Sequence, residues 1–223
     1  MINREKKLLF IHIPKNAGTS IERSLFKDFS FSNNFSKDIL FGYDKNTCIN
    51  LQHATVEQLL EYRYISRKDL CEFNSFAIVR NPFSRALSGY FWLMRDLSIK
   101  DSFTNFLLEK GAFSKLNLSF QNKHVLDHFY TQSEFVLVDN NIGVKDLLKF
   151  ENLPTDFKHY MDKMGFNYKL GGHFKKNNKG KLELMKYLTK ENVSIIQEKY
   201  KVDFENFGYN PNFNRFIYFF RNG

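Results

Sequence analysis

Cysteine is scarce in this chain: Cys48 and Cys71 are the only two among 223 residues. No C-x-x-C occurs, and no Cys/His spacing suits zinc, which sets aside disulfide scaffolds and zinc modules. Two thiols fit a reducing compartment, with a single bridge between them left open. Long apolar runs are missing too. The N-terminal stretch Met1-Ile2-Asn3-Arg4-Glu5-Lys6-Lys7 leads into a short apolar run, Leu8–Ile13. A membrane span needs about 20 such residues, and no small-residue cleavage site follows. The expectation is a soluble, cytoplasmic chain with no transmembrane segment. There is no Pro/Ser-rich linker, repeat or low-complexity segment, so one domain is expected over 1–223, long enough for a full core. D-x-D, H-E-x-x-H and acidic clusters are absent, so no metal is expected.

Positive charge is what the chain has in excess. Lys plus Arg number 33 against 24 Asp plus Glu, a formal net charge of +9. That balance permits anionic ligands: nucleotides, acidic glycans, nucleic acid or a membrane surface. It equally suits a Lys-rich solvated surface, so the charge is permissive and does not choose among them.

Leu8–Ile13 is followed by Pro14-Lys15-Asn16-Ala17-Gly18-Thr19-Ser20. A buried strand that hands a short loop to a helix start builds an anion site. First-turn N–H groups lack intrahelical partners, and the helix dipole favours negative charge there. Lys15 adds a cation, Thr19 and Ser20 add hydroxyls, and Gly18 lets the backbone approach a ligand. The plain alternative is an ordinary strand-to-helix connection. The layout also departs from G-x-x-x-x-G-K-[ST], because Lys15 precedes Gly18.

Three apolar runs read as central strands: Leu8–Ile13, Phe76–Val79 and Phe135–Val138. Helical patterns lie at Thr19–Phe29, Thr55–Tyr62 (capped by Thr55), Phe83–Leu97, Asp101–Lys110, Val144–Phe150, and through Thr155–Phe207 with a break at Gly171-Gly172. Alternation of this kind predicts an α/β fold with a central, mainly parallel sheet flanked by helices, nucleotide-kinase-like, with a phosphate-binding loop after the first strand. The second run ends in Val79-Arg80-Asn81-Pro82, with Pro82 suited to a helix start. Arg80 then stands at the same sheet edge as Lys15, and Ser88 lies two turns into the following helix. A guanidinium fork with a hydroxyl suits a phosphate.

H-I-P-K-x-A-G-T-S and V-R-N-P-x-x-R-x-x-S-x-Y closely resemble the two nucleotide motifs of sulfotransferases that use 3'-phosphoadenosine 5'-phosphosulfate (PAPS). The likeness is to the carbohydrate branch, whose animal members modify heparan and chondroitin chains and whose bacterial members are soluble. Three later segments resemble further family elements: His128-Phe129-Tyr130-Thr131-Gln132, Lys149-Phe150-Glu151-Asn152-Leu153, and Tyr200–Tyr209 with Asp203 and Phe207-Gly208-Tyr209. Asn16 stands where Thr is commoner, and Thr131 where the family has Pro. The segment 173–181 falls where the family has a loop closing over the nucleotide.

The resemblance implies that Lys15, Asn16, Ala17, Gly18, Thr19 and Ser20 hold the 5'-phosphosulfate, with Lys15 acting on the leaving oxygen. Arg80 and Ser88 would hold the 3'-phosphate. His53 is the expected general base, with Glu57 in reserve and His128 and His173 as contact residues. His12 reads as a core histidine, and Tyr90, Phe91 and Trp92 as core aromatics that could form an adenine platform. The acceptor would be a hydroxyl of a carbohydrate in polysaccharide biosynthesis, with no nucleic acid partner; a basic cleft would suit an acidic glycan such as a capsule precursor, and a neutral sugar, a lipid-linked glycan and a small alcohol stay open. A nucleotide-dependent phosphotransferase and a non-enzymatic polyanion binder are the competing readings.

Overall fold

A computed structural model describes the chain except residues 28, 32–34, 119–124, 171–180 and 223. In chain order its elements are β1 (Ile2–Asn3), β2 (Leu8–Ile11), α1 (Gly18–Leu25), β3 (Tyr43–Asp44), β4 (Ile49–Asn50), α2 (Val56–Glu61), α3 (Arg67–Glu72), β5 (Asn74–Val79), α4 (Pro82–Asp96) and α5 (Phe103–Leu107). Then follow α6 (Gln132–Val136), β6 (Leu137–Val138), β7 (Asn141–Ile142), β8 (Asp146–Lys149), α7 (Leu153–Lys163), α8 (Lys181–Met185), α9 (Lys190–Lys199), α10 (Lys201–Asn206) and α11 (Phe213–Asn222). The chain divides into two compact units. One comprises residues 1–80 with 132–174, the other 81–131 with 175–223.

The first unit is built on a four-stranded sheet in the order β1-β2-β5-β8. β1 runs antiparallel to β2, whereas β2, β5 and β8 are parallel. All four residues of β2 are buried, as are Ser75–Val79 of β5. Such continuous burial is expected where both sheet faces are covered. Phe10 and Phe76 are register partners whose rings lie 4.9 Å apart, and Tyr160 of α7 packs 4.7 Å from Phe76. Ile21 and Leu25 of α1 join the same core. The second unit is helical among its described residues. Phe83, Leu87, Tyr90 and Leu93 present one face of α4 to Phe103, Phe106, Ile196 and Phe204.

Several sequence expectations hold. Thr55 caps α2 in a reciprocal capping box with Gln58, and Pro82 occupies the first turn of α4 beneath the Asn81 cap. Two do not. Phe135–Val138 is not a central strand: Phe135 and Val136 end α6, and Leu137–Val138 forms a two-stranded hairpin with β7. The third parallel strand is instead β8, inside Val144–Phe150, which reads as helix in the sequence. Short apolar runs carry too few residues for their period to separate strand from helix, and only β5 decides that Asp146–Lys149 extends. The break at Gly171-Gly172 lies outside the described residues.

Candidate active site

The carboxyl ends of β2 and β5 point to one edge of the sheet, since Ile11 pairs with Ala77 in parallel register. From that edge the chain runs through Pro14-Lys15-Asn16-Ala17 into α1. Lys15 and Ala17 both adopt left-handed backbone, at φ 73° and 64°. Neither is Gly, and each such residue costs on the order of 1–2 kcal/mol. Strain of this kind persists where the surrounding structure imposes it, often at ligand-binding turns. Ala17 is the N-cap of α1 and supplies no side-chain cap, so the first-turn amides of α1 lack the usual side-chain oxygen.

What the side chains of this turn do is more specific than the motif implies. Asn16 is 1 % exposed. Its Nδ2 donates to Ile78 O and to Gln132 Oε1, each at 2.7 Å. Both of its donor hydrogens are therefore committed, and only the Asn16 backbone can serve an anion. Asn16 Oδ1 is buried with no partner among the described residues. Gly18 faces inward: a Cβ there would lie 1.9 Å from the His12 ring. The small residue is thus required by a buried imidazole, whatever a ligand adds. Ser20 is buried and Thr19 is exposed.

Arg80 follows β5 directly. Its NH1 donates to Lys15 O at 3.0 Å, and its guanidinium lies 4.1 Å from the centre of the Phe150 ring. The second motif's arginine is therefore tied to the first motif's loop. Gln132, wholly buried, braces the same corner. Its Oε1 accepts from Arg80 N and its Nε2 donates to Arg80 O, both at 2.8 Å. One amide thus completes the backbone pairing of Arg80 while also holding Asn16. Ser88 sits on α4 in the second unit, half-buried.

His53 ends a short 3-10 turn, Leu51–His53, before α2. Its Nδ1 lies 3.2 Å from His12 O, and the two imidazole centres are 4.3 Å apart. A carbonyl can only accept, so Nδ1 carries the proton and Nε2 keeps its lone pair. Loss of hydration holds the His53 imidazole well below its ordinary 6.5, with the charges of His12 and Lys15 pressing the same way and Glu22 and the hydrogen bond to His12 O opposing. His12 is buried, as expected, with Nδ1 2.6 Å from Glu22 Oε1. Gln52 Nε2 reaches both Glu22 oxygens, at 2.8 and 2.9 Å. Burial alone would raise the Glu22 carboxyl from 4.5; the His12 charge and hydrogen bond, helped by His53 and Gln52, outweigh it and bring it to about 2.

Other sequence candidates fall elsewhere. Glu57 is exposed on the first turn of α2. In the second unit Trp92 and His128 stack at 4.0 Å with planes 4° apart, and Tyr90 is enclosed by Phe103 and Phe106. His173 and most of 173–181 lie outside the described residues. Among the described residues there is no cluster of His, Cys, Asp and Glu fit for a metal ion, and no helix long and apolar enough to cross a membrane. Gln132, Phe150, Glu22 and Gln52 are the residues that sequence reasoning missed as site components. The first two lie in segments already resembling family elements, which was the available signal.

Cations gathered at the carboxyl edge of a parallel sheet, beside an uncapped helix start, suit an enzyme that handles an anionic donor. A model described as Sulfotransferase family matches residues 1–210, and the chain belongs to that family. No curated protein and no solved structure matches it. Its chemistry is accordingly sulfuryl transfer to an acceptor.

Proposed function

We propose that the protein transfers the sulfuryl group of PAPS to a hydroxyl of a carbohydrate acceptor, with His53 as general base. The observation that carries this reading is the Arg80–Lys15 junction, a guanidinium 3.0 Å from the carbonyl of the strained loop. It brings the Arg80 guanidinium against the backbone of the Lys15 turn, which leads into the side-chain-uncapped start of α1. The residues suit an anionic donor through the positive charge of Lys15 and the side-chain-uncapped start of α1, whereas the Asn16 side chain already spends both amide hydrogens on Ile78 O and Gln132 Oε1. PAPS would supply an activated sulfuryl group and an adenosine bisphosphate leaving group.

Backbone amides of Ala17, Gly18 and Thr19 would grip the 5'-phosphosulfate, with Ser20, whose own N–H bonds Ala17 O, closing the turn beside it. Lys15 would stabilise the charge that develops on the leaving oxygen, where a fixed cation acts mainly on the transition state. Arg80 would set the register of the donor through its 3'-phosphate. Ser88 would add a hydroxyl, a role that rests on the motif alone. The His53 Nε2 lone pair would take the acceptor proton, and an imidazole left neutral near pH 7 is available for that. A basic chain of net charge +9 suits an acidic glycan. The exposed free thiols of Cys48 and Cys71 favour a cytoplasmic setting.

Thermal shifts decide between donors. Adenosine 3',5'-bisphosphate should stabilise the protein more than ATP with magnesium, and the reverse order would favour a kinase. Isotopically labelled PAPS offered with a panel of glycans then identifies the acceptor. His53→Ala should lower kcat by roughly 10²–10⁴; near-normal turnover would pass the base to another group.

A further inference from the structure

The polar groups beneath His53 form a buried chain that the reaction as derived does not use. Glu22, one turn into α1, is 2 % exposed. It accepts from Gln52 on both oxygens and pairs with the His12 ring. The His12 ring lies against Gly18 on the phosphate turn and 4.3 Å from the His53 ring. The His12 carbonyl accepts a hydrogen bond from His53 Nδ1. A single residue therefore touches both the turn expected to hold the donor and the group expected to take the proton.

We infer that His12, Glu22 and Gln52 are positioning residues: together they fix the orientation and tautomer of His53 and its spacing from the Lys15–Ser20 turn. The inference rests on the reading of His53 as base and deepens it. Chemistry argues for the arrangement. A general base must offer one defined lone pair toward the acceptor, and an imidazole free to flip offers either nitrogen. A bond from Nδ1 to a backbone carbonyl removes that choice, as partners on the far nitrogen do for metal-bound histidines. Holding that carbonyl still requires holding His12. Its ring is locked by an ion pair on one atom and by the bare Gly18 on its face. The charges facing His53 are Glu22, His12 and Lys15, and Glu22 also feels the Met1 amine. Glu22 is the anion among them, and it draws His53 up while the others press down.

Ring-¹⁵N histidine spectra of the whole protein test this without relying on turnover. His53 in the native protein should show a protonated Nδ1 and a bare Nε2, with the signal identified by its loss in His53→Gln. In Glu22→Gln the His53 titration should move to lower pH, because the facing anion is gone. In Gln52→Leu, which removes only the two bonds to Glu22, both tautomers should appear. Both variants should lose about 10–100-fold in kcat, the range for partners that orient a functional imidazole. Affinity for adenosine 3',5'-bisphosphate should change by less than about twofold, since neither residue touches the donor turn's amides. Unchanged His53 spectra and turnover in a folded Gln52→Leu protein would overturn the inference, even if Glu22→Gln does not fold. Full turnover in His53→Ala would remove the base and with it the catalytic half of the inference; the nitrogen shifts alone would then decide the orientation half.

Discussion

Gly18 shows how one residue can satisfy two demands that sequence cannot separate. Helix propensity favours Ala over Gly by about 0.8–1 kcal/mol, so Gly18→Ala at the start of α1 should stabilise the protein if only local structure mattered. A Cβ at 1.9 Å from the His12 ring says otherwise. Overpacking of a buried site costs typically about 1–3 kcal/mol, enough to reverse the sign. Chemical denaturation of Gly18→Ala should therefore show a net loss; a gain would mean that His12 yields freely. Lys15 makes a different demand, on rate. Lys15→Ala should lower kcat by about 10²–10³ with little change in donor affinity, as expected when one transition-state charge partner is lost. A rise confined to KM would show uniform binding and remove the role. Lys15, Gly18 and Arg80 were legible because their spacing follows a strand and opens a helix. Glu22 and Gln52 were not. A Glu in a helix reads as solvated surface until His12, ten residues away, is folded over it.

Among the elements, β2, β5 and α4 were legible and β8 was not, for a reason found in their lengths and neighbours. β5 carries five consecutive buried residues, a run that both sheet faces demand. β8 has Leu148 alone fully buried, with Asp146 and Lys149 at its ends, and nothing in four residues fixes a period of two. Its extension is imposed from outside: Lys145 N bonds Ser75 O, and β5 supplies the ladder. Gln132 at the start of α6 works in the same tertiary way, lending its amide to the Arg80 backbone just past the end of β5. Gln132→Leu would leave Arg80 N–H, Arg80 C=O and one Asn16 hydrogen without these bonds. A buried polar group left unpaired costs about 1–3 kcal/mol. The expected outcome is a marked fall in Tm together with weaker binding of adenosine 3',5'-bisphosphate by calorimetry. Wild-type affinity in a folded variant would show that the Arg80 backbone holds its place without the clamp.

For the molecule as a whole, the buried charge beneath the site fixes how stability depends on pH. Glu22 titrates near 2 in the folded protein against an ordinary 4.5. The unfolded chain therefore takes up this proton first as pH falls. The carboxylate's contribution is full above about 4.5 and is lost on the way down to about 2, amounting to about 3 kcal/mol at 1.36 kcal/mol per unit. His53 acts in the same direction from a higher starting point. It is held below 6.5 by burial, so the unfolded state also binds its proton first, and stability declines as pH falls through 6.5. Acid further raises a net charge that is already +9 at pH 7, which adds self-repulsion. Urea midpoints measured from about pH 8 to pH 3 should fall in two stages, a shallow one beginning near 6.5 and a steeper one below 4.5. Glu22→Gln should start lower, because the buried pair is broken, yet lack the steeper stage, because no carboxylate remains to protonate there. Parallel curves for the two proteins would place the acid sensitivity in other carboxylates and detach Glu22 from the charge balance of the site.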